Sequence, residues 1–293
     1  MRFGAIIAAA LLYAGVGDAA DTVTRTVPAD PMGEVEIVNV SGEVEVSGWD
    51  RNEVEVRADL GSGVERLDVT GEAKRVMVNV VLPRGRSRSG SSDLQVRVPR
   101  NSRVAVRTVD ADQRITDVRG AQSLQAVSGS ITTAVWEEDF EIRSVSGEVV
   151  VRGHGGSGTA RVNTVSGNME LIDVGRELEL TTVTGDMDVK VDELTRARIK
   201  TTNGELELRG KLARGARVEV EAINGDLRMH FAKPVDAEFD IETFNGDIDS
   251  CFGPQPRRTS EFAPGNELRF KEGSGNARVR IKTLNGGVEV CGT

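Results

Sequence analysis

Apolar and polar residues alternate along short runs of this chain. After Gly185 come Asp, Met, Asp, Val, Lys and Val; after Gly204 come Glu, Leu, Glu, Leu and Arg. A period of two is the pattern of a strand with one buried face. A second alternating run precedes each of these glycines, for example "RARIKTT" and "RVEVEAI". Val, Ile and Thr dominate these runs, as pleated surfaces favour. No helical stripe of useful length follows the N-terminal apolar segment. The unit is therefore strand, turn, strand, turn.

The unit repeats. Gly129, Gly147, Gly167, Gly185, Gly204, Gly225, Gly246 and Gly286 sit in near-identical sentences, at spacings of 18, 20, 18, 19, 21, 21 and 40 residues. Gly42 in "NVSGEVEV" is an earlier copy, and "RTVDADQRI" is a worn one with Ala111 in the glycine slot. A period near 20 marks a solenoid. One such coil buries nothing alone; stacked at ~4.8 Å on its neighbours, it finds backbone partners on both sides and closes a narrow core. Glycine suits the corner because a sharp turn there calls for positive φ. The residue before it is Ser or Thr in early coils (Ser128, Ser146, Ser166, Thr184) and Asn in later ones (Asn203, Asn224, Asn245, Asn285). These side chains bond local backbone at turns, and stacked Asn residues would form a ladder.

The expected fold is all-β: a single-chain parallel β-helix, or β-solenoid, of two-strand coils 18–21 residues long. About ten coils would give a rod of ~50 Å. Residues 20–107 are less regular. Pro83 and Pro99 interrupt their strands and point to edge positions, so this part is read as the irregular N-terminal cap of the solenoid. A separate small β domain is the alternative. Residues 108–293 carry the regular repeats.

The outward positions support stacking. Six residues before each glycine stand Glu141, Arg161, Glu179, Arg198 and Glu219, whose signs alternate; Asp240 then breaks the order. Opposite charges side by side are each worth a few tenths of a kcal/mol and penalise a slipped register. The residue after the glycine is often acidic (Glu43, Glu148, Asp186, Glu205, Asp226, Asp247). These read as a solvated corner rather than a cation-binding edge, since the nonapeptide of calcium-binding rolls is missing.

Repeated Val-x-Gly-Asp and Thr-x-Asn-Gly-Asp turns behind an N-terminal signal resemble the DUF4097 group of β-strand-repeat proteins, which also carry the label adhesin. "NVSGEVEVSGWDRNEVEV" and "GNELRFKEGSGNARVRIKTLNGGVEV" fit the same pattern, so the resemblance covers roughly residues 35–290. It implies a single-chain β-helix in the bacterial envelope and carries over no catalytic residues.

The first residues agree with export. Met1 and Arg2 precede the apolar run "FGAIIAAALLYAGVG", and small residues follow at a cleavable position, so residues 1–19 read as a signal peptide. A short membrane anchor is the alternative, but the run is shorter than the ~20 residues a spanning helix needs, and no later segment is apolar enough. The mature chain is expected to be exported: periplasmic, cell-surface or secreted. A net charge of −9 disfavours nucleic acid as a partner. Aromatics at 4% and 33 glycines argue for a thin core.

Cys251 and Cys291 occupy the same slot, five residues after Gly246 and Gly286. In neighbouring coils their Cα atoms would lie ~5 Å apart, within disulfide range, and an oxidising compartment permits the bond. Two free thiols or a metal site are the alternatives; a metal would lack further ligands.

The search for chemistry is mostly negative. "RGHGGSGTAR" contains G-x-G-x-x-G at Gly153, Gly155 and Gly158, but a strand follows where a dinucleotide site needs a helix. Its "HGG" has no accompanying G-x-S-x-G nucleophile. His154 and His230 are the only histidines. Asp186 with Asp188, or Asp247 with Asp249, offers an acid and a base for glycan cleavage, yet such pairs recur coil after coil as on a solvated strand. No catalytic, cofactor or metal residue is assigned. Arg84, Arg86 and Arg88 in "PRGRSRSGSSD" are either a solvated loop or an anion contact for lipid or glycan phosphates. The expected function is a non-catalytic envelope surface for binding or scaffolding, with glycan, lipid or protein as partner. An envelope-stress sensor and a polysaccharide-cleaving enzyme are the alternatives. Specific contacts are expected where the pattern breaks: residues 84–88, 153–158 or 252–265.

Overall fold

A computed structural model describes residues 21–83, 90–156, 158–260 and 264–292. The segment read as a signal peptide, and Arg84, Arg86 and Arg88, lie outside these. All regular secondary structure among the described residues is β-strand, and none of it is a helix able to cross a membrane.

Each repeat supplies two strands separated by the turn glycine. The strand before the glycine pairs in parallel with its counterpart in the next coil, as Phe140–Ser146 does with Thr159–Ser166. The strand after it does the same, as in Val149–Gly153 with Met169–Ile172. Two inward rows face each other across the coil. Five residues before the glycine lie Ile142, Val162, Leu180, Ile199 and Val220; four after it lie Val151, Leu171, Val189, Leu208 and Met229, all buried. One apolar cluster runs from Ala29 to Val290. Because two rows of medium-sized aliphatics fill the interior, few aromatics are needed.

The coils do not stack in chain order. The Gly42 coil, strand Glu34–Trp49, lies between Arg103–Thr116 on one side and Arg75–Val81 with Ser92–Pro99 on the other. At the far end the last coil (Ala277–Asn285 and Val288–Gly292) inserts between the Gly225 and Gly246 coils. The spatial order is thus Gly42, Ala111, Gly129, Gly147, Gly167, Gly185, Gly204, Gly225, Gly286, Gly246.

Both ends carry antiparallel strands, so the sheet is mixed and the expectation of a purely parallel coil is corrected. Asp21–Pro28 pairs antiparallel with Glu53–Leu60, which pairs antiparallel with Ser92–Pro99. Arg66–Glu72 folds back on Arg75–Val81, and Asn266–Glu272 on Ala237–Asn245. The physical reason is local: an end strand has no further coil to join, and a chain segment returning along it pairs antiparallel and covers the open edge.

The corners are built by backbone crowding. A Cβ on Gly167 or Gly225 would lie 2.0 Å from the carbonyl oxygen of the preceding turn glycine. Beside them Asn224 Nδ2 donates to Asn203 Oδ1 (2.7 Å), Asn285 Nδ2 to Asn224 Oδ1 (2.8 Å) and Asn245 Nδ2 to Asn285 Oδ1 (3.0 Å). The ladder follows the spatial order, not the chain order. Cys251 and Cys291 form a disulfide with Cα atoms 4.8 Å apart, joining the two last-stacked coils.

Candidate functional site

The acidic corner has a structural role. Asp186 Oδ1 accepts the backbone N–H of Glu205 (2.8 Å), Asp226 Oδ1 that of Gly287 (2.8 Å) and Asp112 Oδ1 that of Ser130 (2.7 Å). Each carboxylate thereby ties its turn to the next coil. Asp188, proposed above as a partner of Asp186, instead pairs with Arg209 at 3.2 Å. These carboxylates are engaged in stacking, and Asp186 and Asp188 also line a shallow groove of about 300 Å³ with Glu148, Glu170 and Arg228.

The charge row is more regular than the sequence suggested. Arg161 meets Glu179 (3.5 Å) and Arg198 meets Glu219 (3.2 Å). Asp240 does not break the alternation, because Arg280 stands between it and Glu219 in register and reaches Asp240 at 3.6 Å. Two residues nearer the corner a second row alternates as Lys200, Glu221, Lys282, Glu242, with Lys200–Glu221 at 2.7 Å and Lys282–Glu242 at 2.6 Å. Lys200 holds the Glu221 carboxyl below its usual range, and Lys282 with Arg269 does the same for Glu242. At the other end Arg75, with Arg107, holds Glu36 down likewise.

Between this second row and the corner the usual polarity inverts. The residue three before each glycine points inward and is small or hydroxylic: Thr108, Ala126, Ser144, Thr164, Thr182, Thr201, Ala222, Thr243 and Thr283 are all buried. Thr164 and Thr182 bond to each other at 3.0 Å. The residue two before the glycine points outward, and it is apolar. Val109, Val127, Val145, Val165, Val183, Ile223, Leu284 and Phe244 are each 43–50% exposed. They make up eight of the ten exposed large hydrophobics among the described residues, Met32 and Met77 being the others. In spatial order they form one ridge, interrupted only by Thr202, along the rod. Eight half-exposed side chains amount to on the order of 500 Å², near the upper end of what a monomer's surface carries. A shallow groove of about 490 Å³ runs beside the ridge over Val127, Val145 and Val165, with Arg107 and Arg143 on its rim.

The ridge was within reach of the sequence. Counting by twos from Ile199 or Val220 puts Thr201 and Ala222 inside, and therefore Thr202 and Ile223 outside. Reading "VSG" and "FNG" only for their turn chemistry hides that parity.

Of the three breaks in the repeat, the one at 252–265 starts with Phe252, which is half-buried against the core. Phe252 packs on Phe239 and Phe270 with ring centres 5.7 and 6.1 Å away. Of the 153–158 segment, Gly153, His154, Gly155 and Gly156 instead line a groove of about 1100 Å³ along the edge opposite the glycine corner. His154 lines that groove and lies flat on Trp136, ring centres 4.4 Å apart. The sequence did not reveal the groove, because six wide turns of unlike sequence build it.

No protein of curated function matches this chain. Among solved structures, a candidate lipid-binding protein from Parabacteroides distasonis is similar at 9% identity, over 92% of this chain and 97% of that one, with a TM-score of 0.45. A candidate adhesin from Bacteroides fragilis aligns at 10% identity over 94% of this chain and 99% of the other (TM-score 0.39). A candidate cell-adhesion protein from Clostridium sporogenes aligns at 9% over 93% and 100% (TM-score 0.25). At these scores the names carry no argument about this chain. The sequence profile described as Toastrack DUF4097 matches residues 12–171, 130–262 and 158–291, so almost every coil described above falls within it and the chain belongs to the Toastrack DUF4097 family.

Proposed function

We propose that this is an exported, non-catalytic binding rod of the bacterial cell envelope whose apolar ridge docks an envelope protein. The observation that carries the reading is the ridge: eight of the ten exposed large hydrophobics among the described residues lie in one column. Scattered surface apolars need no explanation, but a continuous row rimmed by charge marks an interaction surface. Its occupant is protein rather than lipid. The ridge is one residue wide, and Asp112, Glu148, Asp186, Glu205, Asp226 and Asp247 run along its glycine side. An anionic bilayer repels such a flank, whereas a protein groove can accept a narrow ridge and pair the charges beside it. The disulfide supports a location outside the reducing cytoplasm.

Photo-crosslinking tests this. A crosslinker at position 127, 145 or 165 should capture one discrete envelope protein saturably, while one at position 170, on the opposite face, should not. Changing Val145, Val165 and Val183 together to Ser should lower the yield at least ten-fold with the melting temperature nearly unchanged, as expected for exposed positions. Equal capture from both faces, or sedimentation with anionic vesicles or sacculi that ignores the Ser changes, would sink the reading.

A further inference from the structure

The groove on the opposite edge carries a second inference, independent of the ridge. Six consecutive coils contribute to it, from Glu137 to Ala232. Its floor is the stacked column Gly153, Asp173, Val191 and Gly210, reaching Ala232, next to the register-matched row Lys190, Arg209, His230. The floor is shallow for a physical reason. A Cβ on Gly153 would lie 1.9 Å from the Asp173 carbonyl oxygen, and one on Gly210 would lie 2.9 Å from a Val191 methyl. Coil stacking thus keeps side chains off the floor at Gly153 and Gly210 and leaves an open trough of about 1100 Å³, at the large end for a ligand site.

Its chemistry is mixed in sign. Lys190 and Lys211 supply donors, while Asp173 and Asp192 supply acceptors, and none of the four is in an ion pair among the described residues. Arg176 and Glu193 neutralise each other at 3.2 Å. A polyanion would meet Asp173 and Asp192, and a polycation would meet Lys190 and Lys211. An apolar ligand would strand all four without partners, which is costly. Hydroxyl groups both donate and accept, so a neutral polyhydroxylated chain satisfies the whole set. The far end holds the His154 ring, exposed and flat on Trp136, a platform for the apolar face of a pyranose ring. The polar groups recur once per coil at ~4.8 Å, a step comparable to the advance of an extended sugar chain per residue.

We infer that this trough is a binding site for a neutral, extended glycan strand, held by Lys190, Lys211, Asp173 and Asp192 and stacked at one end on His154. Trp136 is one of only two tryptophans, so a Trp49→Phe background makes it a local reporter. The probes are cellohexaose, chitohexaose, maltohexaose and mixed-linkage glucan hexamer, with the matching disaccharides, and hexagalacturonate as the charged control. The expected result is a saturable change in Trp136 emission with at least one neutral hexamer. Its disaccharide should bind at least ten-fold more weakly, and salt should have little effect. Lys190→Ala with Asp192→Ala, both exposed, should weaken binding at least ten-fold, as should His154→Ala. The ridge Ser variant should leave it unchanged, which keeps this test separate from the previous one. Absence of a response to every neutral hexamer at millimolar concentration overturns the inference. So does preference for hexagalacturonate with a steep salt dependence, or binding that survives both groove variants.

Discussion

A single turn glycine shows how much of this fold is decided by one atom. Gly204 has φ of +138° and an imagined Cβ 2.1 Å from the Gly185 carbonyl oxygen. Gly215 also has positive φ, +77°, but a Cβ there meets nothing within 4 Å. Alanine at 204 therefore adds a collision with the neighbouring coil to an unfavourable backbone, whereas alanine at 215 adds only the backbone cost. Gly204→Ala should lose about 3 kcal/mol or more and Gly215→Ala about 1 kcal/mol. Urea unfolding of both variants measures the difference, and equal losses would mean that corner crowding contributes nothing. The glycine slot and its Ser-to-Asn neighbour were legible because they recur as a word. Ala111 shows the other side of this. It fills the slot in the coil of Arg103–Thr116, where the strand runs straight through and no positive φ is needed.

At the scale of the strand, side-chain parity and register do the specifying. The outward charges six before the glycine alternate Glu141, Arg161, Glu179, Arg198, Glu219, Arg280, Asp240 only when the last coil is placed between two earlier ones. Read along the chain, the row contains an error at Asp240; read in space, it contains none. That apparent error, together with the 40-residue interval, was the one trace the inserted coil left in the sequence. Periodicity gives the size of a coil but is blind to the order in which coils stack. Arg280→Glu would set a carboxylate between Glu219 and Asp240, replacing the ion pair with Asp240 and the opposite charge in register beside Glu219 with two repulsions. The cost should be about 1 kcal/mol in low salt and shrink as salt screens it. In a stack that followed chain order, residue 280 would touch only Asp240, and the loss would be about half as large. Denaturation midpoints of Arg280→Glu and Asp240→Lys in low and high salt separate the two arrangements.

For the whole molecule, insertion of the last coil changes what holds the C-terminal end. Stability in a stack of repeats is close to a sum of neighbour contacts. Here the strands of the Gly246 coil pair with the body of the rod only through residues 277–292, and the direct side-chain contact is Phe239 on Phe231, ring centres 6.1 Å apart. Without further restraint, the end would open as a unit in which two coils separate together. The Cys251–Cys291 bond closes a 40-residue loop across that joint and in the chain-entropy model contributes about 4 kcal/mol. Replacing both cysteines with Ser should therefore act locally. Amide exchange should accelerate at buried Phe239, Ile241, Val279 and Ile281, and much less at Ile142, Val162 and Leu180, although all seven are fully buried in the folded chain. Reduction of the unaltered protein should reproduce the same map. Uniform acceleration from end to end would show that the rod unfolds as one cooperative body. In that case the ridge and the groove, which lie on opposite edges of the same coils, would share a single stability, and binding at either would protect both.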